Sequence, residues 1–73
     1  MAPYTTRYRA MLERLRAARL AAGLTQVQVA KKLRKRQSWV SNCETGERRI
    51  DPIELEDFAK LYGKPVPFFL SGP

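Results

Sequence analysis

The stretch Thr25–Gly46, TQVQVAKKLRKRQSWVSNCETG, decides the fold. Thr25 followed by Gln28 has the form of a capping box, in which the hydroxyl accepts from a backbone N–H and the glutamine reaches back to the cap. A helix from there to about Leu33 turns Val29, Ala30 and Leu33 inward, with Ala30 small where two helices must approach closely. After a basic turn, a second helix from about Gln37 to Thr45 buries Val40, Cys43 and part of Glu44, and Gly46 is its stop. Two short helices joined by a tight turn allow one to brace against a nucleic-acid backbone while the next lies in the major groove. In a basic chain, that spacing points to sequence-specific DNA binding.

Working outward, Thr5 or Thr6 can cap a first helix running to about Ala22. Met11, Leu12, Leu15, Ala18 and Ala22 form its apolar stripe at three- and four-residue spacing. Gly23 suits the left-handed position after that helix, and Leu24 can fold back onto it. On the other side, Asp51-Pro52-Ile53-Glu54 combines an acidic cap, a first-turn proline and a glutamate three residues after the cap. The fourth helix is expected to bury Ile53, Leu55, Phe58, Ala59, Leu61 and Tyr62 to differing degrees and to end at Gly63. The segment PVPFFL, residues 65–70, has room for one short helical turn. The expectation is all-α: one domain over residues 1–73, a compact bundle of four to five short helices, with flexible ends at 1–4 and 71–73.

The charge is unevenly placed. Up to Arg49 there are twelve Lys or Arg against three acids, and from Ile50 onward two against four, giving the total of +7. A total of that size alone fits a solvated surface; its coincidence with the helix pair favours a nucleic acid. Cys43 is the sole cysteine, so no intrachain disulfide forms and a cytoplasmic protein is expected. No apolar run approaches the roughly 20 residues that span a bilayer. Arginines 7, 9, 14, 16 and 19 interrupt any secretory core, and the helix that carries them runs into the domain without a cleavable boundary. With no histidine, no metal-ligand cluster and no glycine-rich phosphate loop, neither enzyme activity nor a metal or cofactor is expected.

Four polar residues form the candidate reading head: Gln37, Ser38, Ser41 and Asn42. Glutamine and asparagine each match adenine N6 and N7 with two hydrogen bonds, and serine can donate or accept. Any one of them alone would be an ordinary exposed helix residue. Lys35, Arg36, Arg48 and Arg49 are expected to contact phosphates, as is Gln26 at the positive end of its helix. Lys31, Lys32 and Arg34 flank them, and some of these seven cations are simply a solvated face. Trp39 either packs on the core, stacks near the sugar–phosphate backbone or meets a partner, and Cys43 is a small buried hydrophobe rather than a redox sensor. Val66, Phe68, Phe69 and Leu70 either form a dimer surface or close the core under the first helix.

The segments LRAARLAAGLTQVQVAKKL and QSWVSNCETGERRID resemble the Cro/CI-type (Xre-like) helix-turn-helix regulators over about residues 12–70. Gln26, Ala30, Val40, Ser41, Glu44 and Gly46 stand at that family's spacing. The resemblance implies a lambda-repressor-like DNA-binding domain, a Gln26–Gln37 hydrogen bond, and a structural ion pair between Arg19 and Glu44. The chain departs from the pattern at Arg34, where glycine is usual at a positive φ, at Lys35, usually apolar, and at Arg36, where a Ser or Thr cap is frequent. The implied function is a sequence-specific transcriptional regulator, a repressor that binds a palindromic operator as a homodimer. The alternative is an antitoxin-like or adaptor module with a protein partner such as a toxin or polymerase; neither reading involves a membrane.

Overall fold

The computed structural model describes residues 5–70, so the expected flexible ends lie outside the described residues. Five helices follow in order: α1 Thr6–Ala21, α2 Gln26–Leu33, α3 Gln37–Thr45, α4 Pro52–Tyr62 and α5 Val66–Leu70. No helix among these residues is long and apolar enough to cross a membrane.

Local chemistry sets most of the boundaries. Thr5 caps α1, its hydroxyl accepting from the Tyr8 N–H at 3.1 Å. Thr25 and Gln28 form both halves of the capping box, at 3.1 and 2.9 Å. Asp51 and Glu54 repeat it at the start of α4, at 2.8 and 3.0 Å. Gly46 closes α3 in the left-handed region with φ 89°, which a Cβ would oppose.

Two positions run against local preference. Arg34 ends α2 at φ 57°, the single non-glycine with positive φ among the described residues. The Lys35 N–H reaches back to the Ala30 carbonyl at 2.8 Å, so the tight wrap needs that backbone whatever the side chain. Arg34→Gly is therefore expected to add roughly 1 kcal/mol of stability. For a domain of this size, that is a rise of about 4–8 °C in melting temperature by circular dichroism, and an unchanged melt would remove the strain argument. Arg36 stands at the N-cap of α3 and makes no side-chain cap hydrogen bond.

The core draws on every helix. Leu15, Val29, Val40, Cys43, Phe58 and Phe69 are fully buried, ringed by Met11, Leu12, Ala18, Ala30, Leu55, Ala59 and Tyr62. α2 packs on α3, while α1 touches α3, α4 and α5, so α1 is the backbone of the bundle. Two expected core residues fall outside it. Ile53 is 67% exposed, because it lies two residues before Leu55, about 200° around the helix from the buried stripe. Ala22, at the C-cap just past the end of α1, is exposed.

The apolar C-terminal group divides. Phe69 is fully buried against the bundle, whereas Phe68 and Leu70 are 36% and 49% exposed and Val66 is half-buried. Of the two roles expected for this group, Phe69 takes that of closing the core, because a one-turn helix has a single inward side.

Candidate nucleic-acid interface

α3 presents Gln37, Ser38 and Asn42 to solvent, with Ser41 half-buried on its flank. Val40 and Cys43 hold the opposite face in the core, which leaves the helix little freedom to rotate. Ser38 and Asn42 line an open concavity together with Arg34, Lys35, Arg36 and Trp39. Polar hydrogen-bonding groups and three cations from the α2–α3 turn therefore share one surface. A duplex needs this arrangement, with base-edge chemistry in the groove and positive charge beside the phosphates.

Behind that surface lies a connected set of side chains. Arg19 donates from Nε and Nη2 to the two carboxylate oxygens of Glu44, at 2.6 and 3.2 Å. Its Nη1 donates to the Leu24 carbonyl at 3.0 Å, and both charged side chains are less than a tenth exposed. Gln26 donates from Nε2 to Glu44 Oε1 at 3.0 Å, and Gln37 donates from Nε2 to Gln26 Oε1 at 2.7 Å. The resemblance implied the Arg19–Glu44 pair and the Gln26–Gln37 bond. The Gln26–Glu44 link that joins them was not legible, because it depends on where two helices place side chains 18 positions apart in sequence.

The cations differ in what holds them. Lys35 and Arg36 are exposed at the turn, and the Lys35 ammonium lies 5.0 Å from the Trp39 ring centroid. Arg48 is engaged with the protein itself: it donates to both Glu54 carboxylate oxygens at 2.8 Å, and its guanidinium sits 5.0 Å from the same indole. These hydrogen bonds hold the Glu54 carboxyl below its ordinary range. The geometry gives Arg48 the work of fastening the α3–α4 loop. Arg49 lies 4.6 Å from the Tyr8 ring centroid, and the Tyr8 hydroxyl accepts from the Ile50 N–H at 2.9 Å, tying the same loop to α1.

Trp39 resolves as a bridge between core and surface. Its ring stacks on Phe58 at 5.7 Å, so one part of the indole is core while another lines the basic concavity. Cys43 is fully buried, and that burial raises its thiol pKa against the lowering influence of Arg48. It is an inert packing residue. Glu54 caps α4 and grips Arg48 at once, and its capping-box position in the sequence signals only the first of these roles. Among the described residues, no cluster of three or more His, Cys, Asp or Glu side chains is placed to hold a metal ion.

Comparison with known proteins agrees with this geometry. Residues 10–67 match the family described as Helix-turn-helix domain. The fold superimposes on the XRE-family like protein from Pseudomonas syringae pv. tomato str. DC3000 with a TM-score of 0.81 and 45% sequence identity, covering 88% of this chain and 78% of that one. A search of curated proteins found no match. With the helix pair, the left-handed turn between them and the buried ion pair in place, the chain belongs to the XRE-type helix-turn-helix family of DNA-binding regulators.

Proposed function

We propose that the protein is a transcriptional repressor that binds a palindromic operator as a homodimer, with one α3 in the major groove of each half-site. The observation that carries this reading is the α3 surface itself: Gln37, Ser38 and Asn42 exposed beside the cations of the α2–α3 turn, with Gln37 already held by Gln26. Ser41 completes the reading head, and Gln26, Lys35, Arg36, Arg48 and Arg49 register it on phosphates. Two such helices about 34 Å apart would meet successive turns of the duplex on one side. Phe68 and Leu70, with half-buried Val66, supply the self-association surface. Occupancy of a promoter then blocks transcription in the cytoplasm, where a lone buried thiol stays reduced.

Affinity should be strongly salt-dependent, because each neutralised phosphate releases counterions. The test is binding to a duplex from the protein's own promoter region, compared with a scrambled duplex at low and near-physiological salt. Retained preference for the promoter duplex at the higher salt is the expected result, and Gln37→Ala should cost about 1–3 kcal/mol of that preference. Equal, salt-labile binding to both duplexes would end the proposal.

A further inference from the structure

A glutamine that reads a base has two faces that differ only in which end is oxygen and which is nitrogen. Rotating the terminal amide by half a turn exchanges donor for acceptor at almost no steric cost, so a reader must hold its amide one way round. A second glutamine beside it does not solve the problem, because two amides can flip together and keep their mutual hydrogen bond. A carboxylate does solve it, since when paired to a guanidinium it can only accept.

The chain of contacts behind α3 ends on such a group. Glu44 is fixed by two donors of Arg19 and accepts from Gln26 Nε2 at 3.0 Å. Gln26 must therefore turn its oxygen toward Gln37, and Gln37 must turn its nitrogen toward Gln26, at 2.7 Å. That leaves Gln37 with Oε1 and one N–H for a base. We propose that Glu44, acting through Gln26, sets the donor–acceptor polarity of Gln37 and thereby selects a base with a donor in the major groove over one with an acceptor there. The inference rests on the reading of α3 as the base-contacting helix.

The chemistry of the bases makes the consequence specific. Adenine offers an N6 donor and an N7 acceptor, which match the fixed edge, and cytosine offers an N4 donor. Guanine O6 and thymine O4 are acceptors, and each would oppose Gln37 Oε1. Discrimination then contains a repulsive element as well as an attractive one. Glu44 and Gln26 are positioning residues here: neither needs to touch the base.

The experiment selects binding sites from a randomised duplex library with the wild type, Gln37→Ala and Gln26→Met, followed by affinities for all four bases at the position concerned. Gln26→Met cuts the relay at a partly exposed residue and spares the buried ion pair, so its melting temperature should stay near the wild type; Glu44→Gln is a second variant, informative where it folds. Loss of preference in Gln37→Ala identifies the base pair that Gln37 reads. At that pair, Gln26→Met should shrink the penalties against guanine and thymine about fivefold or more while leaving the penalty against cytosine. Uniform flattening against all three bases would mean that Gln26 merely steadies Gln37, and unchanged penalties would mean that it does nothing; either overturns the polarity relay alone. A wild type that selects no sequence, or a Gln37→Ala variant that keeps every preference, would overturn the base-reading assignment and the relay with it.

Discussion

Glu44→Ala should destabilise the domain by about 3–5 kcal/mol, because it strands a buried guanidinium. Arg19 is 7% exposed, and without Glu44 its remaining protein acceptor is the Leu24 carbonyl. A chain of this size has a total stability of only about 4–11 kcal/mol, so the loss removes a large part of it. Urea unfolding followed by far-ultraviolet circular dichroism measures the difference. The double variant Arg19→Met with Glu44→Leu should recover most of the loss, since apolar replacements of a buried pair are often neutral or better. A cost for Glu44→Ala below about 1 kcal/mol would mean that water reaches the pair and that it behaves as a surface bridge. The double variant also separates folding from reading: it restores packing but leaves Gln26 without its acceptor.

Phe69→Ala carries the second large effect, again about 3–5 kcal/mol, through the lost transfer energy and the cavity left behind. Phe69 is fully buried and meets Phe68 edge-on, with ring centroids 5.1 Å apart at 87°. α5 is five residues long and has no independent stability, because a helix that short barely exceeds its nucleus. The buried ring therefore holds the whole segment against α1. Leu70→Ala, at a side chain half in water, should cost well under half as much. Differential scanning calorimetry of the two variants decides the matter, and similar melting temperatures would mean that Phe69 is not the plug. Sedimentation of Leu70→Glu at several concentrations then isolates any contribution of the exposed pair to self-association.

Much of the fold was legible because it is written in local chemistry. Capping boxes at Thr25 and Asp51, stops at Gly23, Gly46 and Gly63, and the inward Val40 and Cys43 are each decided within a few residues of chain. The misreadings have a common physical source. Ile53 and Ala22 look like core residues by type, and only the rotational register of Ile53 and the position of Ala22 at the margin of the bundle put them in water. Phe69 could not be separated from Phe68 and Leu70 by composition, since a one-turn helix has one inward side and nothing local says which residue occupies it. The polar face of α3, the proposed reading surface, was legible as a set of residue types beside a basic turn. That Trp39 stacks on Phe58 while lining that surface was not, because α4 supplies its partner.

By itself the sequence determined most of the helix boundaries, the basic character of the α2–α3 turn, and the polar face of α3, because capping, periodicity and charge act over a turn or two of chain. Only the tertiary structure decided how those parts are held: Arg48 turned back onto Glu54, Phe69 sealed under α1, and Gln37 connected through Gln26 and Glu44 to Arg19. These contacts join residues brought together by packing. Their directions follow from which atoms can donate and which can only accept once the helices have docked.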